Sequence, residues 1–74
     1  MNEFFRIFNK WFEELSLGLT ITTENNGSED CYLTIINKQG EIIVEEYDAE
    51  FSEVLFAKAL VSFVNWLEEN YDGY

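Results

Sequence analysis

Residues 31–47 read CYLTIINKQGEIIVEEY, two runs of β-branched and aromatic side chains on either side of Asn37-Lys38-Gln39-Gly40. Such runs are typical of β-strands, and a short polar connection that ends in glycine is typical of a hairpin. The preceding segment Leu19-Thr20-Ile21-Thr22 alternates apolar and polar residues and indicates a third, half-buried strand. Because the connections are short, the three runs predict an antiparallel meander. The predicted strands cover about residues 18–23, 31–37 and 41–47.

Helical spacing of apolar residues flanks the meander on both sides. Residues 3–15 place large apolar side chains three and four positions apart, with polar residues opposite them. Gly18 is expected to mark the exit from this helix. Asp48 is expected to cap a second helix over about residues 49–70. The sequence therefore predicts an α+β fold, a single small domain over residues 1–74 in the order α-β-β-β-α, with the three-stranded meander packed against the helices.

The second predicted helix is more apolar than a surface helix usually is. Its polar stripe contains only Lys58, Ser62, Asn65 and Glu69, and apolar side chains spread over roughly two-thirds of its circumference. Two explanations are open at this point. Either the first helix and the sheet enclose this helix together, or part of its face contacts a second copy of the chain across a two-fold axis. The second explanation predicts a homodimer. Its candidate contacts are Leu55, Ala59, Phe63 and Trp66.

The balance of charges is strongly one-sided. Fifteen Asp and Glu residues stand against four Lys and Arg residues, histidine is absent, and the formal net charge is −11. Because phosphate contacts require Lys and Arg, the chain is not expected to bind nucleic acid or an anionic membrane. Solubility alone is served by a net charge of magnitude ~2–8. The larger charge favours a basic partner, such as a surface that normally holds DNA.

The acids are concentrated in three parts of the sequence, and these form the predicted partner-binding surface. The densest group surrounds the third strand and the start of the second helix, with no basic residue between positions 41 and 53. A second group closes the chain, and the first hairpin loop is the second choice. The predicted contacts are Glu41, Glu45, Glu46, Asp48, Glu50, Glu53, Glu68, Glu69 and Asp72, with Glu24, Glu29 and Asp30 as the second choice.

The sequence offers little for enzymatic chemistry. Without histidine there is no Ser-His-Asp or Cys-His arrangement, and the four glycines are too scattered for a phosphate-binding loop. Cys31 is the only cysteine, so neither an intramolecular disulfide nor a zinc site is expected. The acidic loop at 24–30 lacks the alternating ligands of a calcium-binding loop. We therefore expect a protein that is not an enzyme and has no metal or cofactor.

The chain also lacks recognisable targeting signals. Its first residues do not include the positively charged region of a signal peptide. The longest weakly charged run, residues 54–67, is too short to cross a bilayer. These features predict a cytoplasmic protein that does not bind membranes.

An acidic, proline-free chain of 74 residues with this order of elements resembles the phage-encoded DNA-mimic inhibitors of bacterial DNA machinery. In length and charge it looks like the small staphylococcal-phage inhibitor of the β sliding clamp, a dimer that occupies the clamp's DNA channel. In element order it is similar to acidic anti-CRISPR proteins that occupy the DNA-binding surface of Cas9. The resemblance rests on size, charge and element order, so no site residue is carried over from it.

The resemblance implies a non-enzymatic inhibitor acting in the host bacterial cytoplasm. It would bind the DNA channel of the β sliding clamp (the β subunit of DNA polymerase III), block its loading onto DNA and arrest host replication. One alternative is an anti-CRISPR protein on the surface of Cas9 that reads the PAM duplex. Another is an acidic interaction or immunity protein whose second helix, not its charge, is the binding face.

Overall fold

The computed structural model describes residues 2–25 and 29–73. Its elements are α1 (Asn2–Leu15), β1 (Gly18–Asn25), β2 (Glu29–Ile36), β3 (Ile42–Asp48) and α2 (Glu53–Tyr71). The three strands form one antiparallel sheet in the order β1-β2-β3, which confirms the predicted α+β fold and its α-β-β-β-α order. β1 and β2 extend into the loop expected at 24–30, of which residues 26–28 lie outside the described part of the chain.

α1 ends in a Schellman motif, before the exit that was predicted at Gly18. The Leu17 N–H donates to the Phe12 carbonyl at 3.1 Å and the Ser16 N–H to the Glu13 carbonyl at 3.4 Å. These bonds satisfy two carbonyls that the helix end would otherwise leave unpaired. Ser16 adopts the left-handed conformation, with φ 53°, that glycine usually supplies at this position. Gly18 is instead the first residue of β1.

The β2–β3 turn is organised by Asn37. Its side-chain Oδ1 accepts from the Gln39 N–H at 3.0 Å and from the Glu41 N–H at 2.9 Å. Its carbonyl accepts from the Gly40 N–H at 3.0 Å. Gly40 has φ 82°, a left-handed conformation that needs glycine. The hairpin predicted at residues 37–40 is confirmed.

The strand register places apolar side chains on one face of the sheet. Leu33, Ile35 and Val44 are buried there, and Ile35 pairs with Val44 across the two strands. Because side chains alternate along a strand, the opposite face carries the intervening residues, most of which are threonine, tyrosine and glutamate. We call this second face, which includes Tyr32 and Tyr47, the open face.

α2 begins at Glu53 and takes Ser52 as its N-cap, whose Oγ accepts from the Val54 N–H at 3.3 Å. The prediction that Asp48 caps this helix is wrong. Asp48 pairs with Cys31 as the last residue of β3, so the helix starts only after a short loop. Asp and Ser are both good N-caps, and strand pairing decides between them.

The wide apolar surface of α2 has two neighbours within the chain. On one side the Phe56 ring lies 5.6 Å from that of Phe4, and the Phe63 ring lies 6.1 Å from that of Phe8. On another side α2 packs along β3. Enclosure by the first helix and the sheet therefore accounts for the buried part of this helix.

Three of the predicted dimer contacts are wrong. Leu55, Ala59 and Phe63 are 0% exposed because they fill the core of the single chain, so they have no surface to offer a second copy. Trp66 is half-buried and remains accessible. Val54, Ala57 and Val61 of α2 are exposed and form a separate apolar stripe, while Tyr71 is exposed at the far end of the helix.

Candidate functional site

The fold separates the predicted acidic surface into two ends of the molecule. β3 rises ~3.4 Å per residue, so Glu41 just before it and Asp48 at its last position lie about 24 Å apart. Glu41 lies at the end where both helices terminate, which we call the cleft end. Asp48, Glu50 and Glu53 lie at the other end beside the β1–β2 hairpin, which we call the hairpin end. The acids of residues 41–53 are therefore one group in sequence and two groups in space.

Glu45 and Glu46 point to opposite faces of the sheet. Glu45 is exposed on the open face, opposite Thr34 of β2. Glu46 faces α2 and is half-buried, and its Oε2 accepts a 2.6 Å hydrogen bond from the Ser62 hydroxyl. Of this predicted pair, only Glu45 presents its carboxylate fully to a partner.

Asp48 is held by groups of its own chain. Its carboxylate accepts from the Glu50 N–H at 3.3 Å and lies 3.3 Å from the Lys58 ammonium, which also donates to the Tyr47 carbonyl at 3.1 Å. The Glu50 N–H, followed by Lys58, lowers the pKa of Asp48. No basic residue interrupts this region in the sequence, but in space Lys58 neutralises part of it. Glu50 and Glu53 remain exposed.

Asp30, one of the acids predicted as a second-choice contact, is hydrogen-bonded to one of a pair of tyrosines on the open face. The Tyr47 hydroxyl donates to Asp30 Oδ1 at 3.0 Å, and the Tyr32 and Tyr47 rings lie 5.2 Å apart. The hydrogen bond to Asp30 raises the pKa of Tyr47. Desolvation, followed by the charges of Glu24 and Asp30, raises the pKa of Tyr32. Glu24 is exposed, and the Glu29 side chain lies outside what the structure describes.

The chain-terminal acids lie at the cleft end. Glu68 and Glu69 are exposed in the last turn of α2, and Asp72 is its C-cap in a left-handed conformation with φ 57°. Glu14 lies in the last turn of α1 at the same end. Glu41, whose Oε1 accepts from the Asn37 amide at 3.2 Å, completes this group.

An open cleft of about 270 Å³ lies at this end of the molecule. It is lined by the end of α1 at residues 14–17, by the β2–β3 turn at residues 37–39, and by Trp66 and Tyr71 of α2. Its volume is slightly below the ~300–1,000 Å³ of small-molecule pockets. The cleft therefore suits a single inserted side chain better than a cofactor.

Aromatic rings form one side of this cleft. The Tyr71 ring lies 5.5 Å from that of Trp66 and 5.7 Å from that of Trp11. The Trp11 indole N–H is buried and has no hydrogen-bond acceptor within the described residues. The Lys10 ammonium lies 5.6 Å from the centre of the Trp11 ring, a cation–π distance.

Sequence reasoning missed the cleft and the tyrosine pair. It assigned Trp66 to a dimer contact and gave no role to Glu14, Tyr32 or Tyr71. One signal was present: both helices end in paired glutamates with no basic residue in the last turn, the reverse of the usual preference. That pattern marks helix ends that favour an external cation.

Comparison with protein-family models, curated proteins and solved structures finds no match to this chain. Within residues 2–25 and 29–73, no three Cys, Asp or Glu side chains are grouped so that they could hold a metal ion. No helix in that part of the chain has the length and apolar character needed to cross a membrane.

Proposed function

We propose that this protein is a non-enzymatic DNA mimic that binds the basic DNA-binding surface of a bacterial protein. The observation that supports it best is the spread of acids over both ends of a body measuring 41 × 24 × 18 Å. A B-form duplex 41 Å long carries about 24 phosphate charges, at one per ~1.7 Å of axis. The fifteen carboxylates of this chain supply more than half of that number in the same length.

The exposure and the ion pairing of the acidic side chains support the same function. No charged side chain that the structure describes is fully buried, and most of these carboxylates are exposed to a partner. The half-buried ones are Asp30, Glu46 and Asp48. Two acids have ion-pair partners in the described part of the chain, Glu3 with Arg6 and Asp48 with Lys58. A surface with this excess of negative charge gives fast association with a basic surface and an affinity that falls as salt rises.

We propose the β sliding clamp, the β subunit of DNA polymerase III, as the target. An acidic body of this cross-section in the clamp's DNA channel would prevent loading onto DNA and arrest host replication. A homodimer would double the formal charge to about −22 within one channel. Because Leu55, Ala59 and Phe63 are buried, we place the two-fold contact on the exposed stripe of Val54, Ala57 and Val61.

The burial of those three residues also favours a second candidate target. The apolar character of α2 was the reason to expect a dimer, and the chain's own core accounts for most of that character. A single chain is the simpler match to one PAM-duplex surface of Cas9. The two targets are separated by the number of chains bound.

The experiment that tests this function measures binding of the protein to purified sliding clamp, and separately to Cas9 with its guide RNA, in about 0.05 and 0.5 M NaCl. We expect binding to one target that weakens at least about tenfold at the higher salt, since the Debye length shortens several-fold. Duplex DNA should compete with the protein for that target. Binding that tolerates salt and ignores duplex DNA would contradict DNA mimicry and support the interaction-protein alternative.

Two matched triple reversals show which end of the molecule contacts the target. One variant changes Glu24, Glu45 and Glu50 to lysine at the hairpin end and on the open face, and the other changes Glu41, Glu68 and Glu69 at the cleft end. Both shift the formal charge by the same amount, so a difference in affinity reports position rather than net charge. Circular dichroism confirms that each variant is folded. Unchanged affinity in both variants would disprove the function.

The dimer contact is tested by light scattering of the wild type and of Val61→Glu at micromolar concentration. We expect the wild type to be a dimer and the variant a monomer, because two added carboxylates would face each other across the two-fold axis. Thr22→Glu, which adds one charge at an exposed position of β1, is the control for charge. A wild type that is monomeric at this concentration would remove the dimer from the proposal.

A further inference from the structure

Both helices of this protein direct their C-termini toward the cleft. α1 ends at Leu15 and α2 at Tyr71, and both of these residues line it. Each helix C-terminus carries a partial charge of about −0.5 from its aligned peptide dipoles. The two ends therefore add roughly one further negative charge to a region that already holds several carboxylates.

The acids of this region are placed against the helix dipoles. The last turn of α1 contains Glu13 and Glu14, the last turn of α2 contains Glu68 and Glu69, and neither turn contains a basic residue. Acids at a helix C-terminus destabilise the helix, whereas a cation there stabilises it. A bound cation would relieve this repulsion at both helix ends.

The cleft walls have the chemistry of a cation site. Trp66 and Tyr71 bring aromatic rings to the cleft, whose faces attract cations through their quadrupole, and Glu14 also lines it. The adjoining Trp11 ring already has an ammonium group of the chain, that of Lys10, at 5.6 Å from its centre. Lys38 of the β2–β3 turn also lines the cleft, and its positive charge opposes a cation there.

We propose that this cleft receives an arginine side chain of the basic partner, an inference that rests on the proposed function. The guanidinium group is planar and can stack on an aromatic face while its N–H groups donate to a carboxylate, which an ammonium group does less well. At about 270 Å³ the cleft has room for one such side chain. Trp66 and Tyr71 stack on the guanidinium and Glu14 accepts its hydrogen bonds.

The test uses N-acetylarginine amide as a probe and follows the backbone and indole signals of the ¹⁵N-labelled full chain by NMR. We expect shifts at Trp66 and Tyr71 and around residues 14–17, with saturable binding in the millimolar range. The matched probe is N-acetylcitrulline amide, which has the same shape and no charge. Equal shifts from both probes, or arginine shifts confined to other regions, would overturn the inference.

Two variants of the same helix turn isolate the carboxylate. Glu14→Gln should lower the affinity for the arginine probe at least about threefold. Glu13→Gln removes the same charge one residue away from the cleft and should change that affinity by less than about twofold. Lys38→Gln should raise the affinity for the arginine probe, because it removes a positive charge from the cleft. Tyr71→Leu should lower this affinity by a factor similar to or larger than that of Glu14→Gln, because the aromatic face is lost. If Glu13→Gln and Glu14→Gln lowered the affinity equally, the probe would be attracted only by the general negative charge of the chain. The proposed arginine site would then be wrong.

The two proposals fail separately. If the protein binds the clamp or Cas9 in a salt-sensitive way but the arginine probe leaves Trp66 and Tyr71 unshifted at 50 mM (about tenfold above a weak millimolar site), the cleft is not an arginine site and the mimic stands. If the probe binds as expected but no DNA-binding protein is bound, the arginine site stands and DNA mimicry is wrong.

Discussion

Ser62 of α2 donates a hydrogen bond to Glu46 of β3, with 2.6 Å between Oγ and Oε2. This bond joins the helix to the inner face of the sheet, where Glu46 lies opposite the buried Leu33. It satisfies a carboxylate that is half removed from water, and it separates Glu46 from the acids that face solvent.

Ser62→Ala should therefore destabilise the fold by about 1–2 kcal/mol, because it leaves a half-buried carboxylate without its donor. Glu46→Gln, which keeps an oxygen acceptor, should change the free energy of unfolding much less. Urea denaturation followed by circular dichroism measures both variants, with the slope of the transition as the check for two-state behaviour. If Ser62→Ala were as stable as the wild type, the bond would contribute nothing to the packing of α2 on the sheet.

The left-handed residues after the two helices give a second prediction. Ser16 and Asp72 both have positive φ, and a side chain in that conformation costs roughly 1–2 kcal/mol relative to its usual one. Ser16→Gly should raise the free energy of unfolding by up to about 1 kcal/mol, after allowance for the greater freedom of glycine in the unfolded chain. Ser16→Ala is the matched control and should give no such gain. A destabilised Ser16→Gly would mean that the serine side chain has a partner worth more than the strain.

The pKa of Asp48 gives the third prediction. Because its folded pKa is lowered, by the Glu50 N–H first and Lys58 second, its ionised form stabilises the fold. This contribution is present above the unfolded pKa of about 3.9 and is lost as pH falls through the lower folded value. Asp48→Ala should therefore be less stable than the wild type at pH 7, and the difference should close below about pH 4.

Asp48→Asn separates the two causes of that shift. Asparagine keeps an oxygen that can accept from the Glu50 N–H but has no charge for Lys58. We expect its stability at pH 7 to lie between those of the wild type and Asp48→Ala. Thermal melting across the pH series measures all three proteins. A difference between the wild type and Asp48→Ala that stayed constant down to pH 2 would rule out an electrostatic role for this carboxylate.

Salt should act in opposite directions on stability and on partner binding. With a formal net charge of −11, the folded chain repels itself, and salt screens this repulsion. We expect the melting temperature to rise between about 0.05 and 0.5 M NaCl, over the range in which binding to a basic target weakens. The reversal of Glu24, Glu45 and Glu50 to lysine should flatten the rise. A melting temperature that fell with salt would show that ion pairs such as Lys58 with Asp48 outweigh the repulsion.

Strands, turns and helices could be predicted from the sequence where the pattern that specifies them lies within a few neighbouring residues. Alternation in Leu19-Thr20-Ile21-Thr22 and the turn at Asn37 to Gly40 depend on neighbouring residues, and both strand and turn were placed correctly. The start of α2 was misplaced because Asp48 and Ser52 carry similar capping signals. The pairing of Asp48 with Cys31, a contact between distant parts of the chain, decides in favour of Ser52.

The site was less predictable for the same reason. The acids could be read from the sequence, but their division into two ends depends on the direction of β3 within the sheet. The cleft brings together residues such as Glu14, Lys38 and Tyr71, which no local pattern connects. Likewise, Leu55 and Phe63 have the same apolar character in a dimer contact as in a core, and only the packing of α2 against α1 and the sheet distinguishes the two.

The pairing of α1 with α2 has a consequence during synthesis of the chain. Phe4 and Phe8 pack against Phe56 and Phe63, which follow them by about fifty residues. At ~5–20 residues per second, translation leaves the apolar face of α1 without its partner for about 3–10 s. The apolar face of α1 therefore stays exposed from the synthesis of Phe8 until Phe56 and Phe63 have been added and α2 can pack against it.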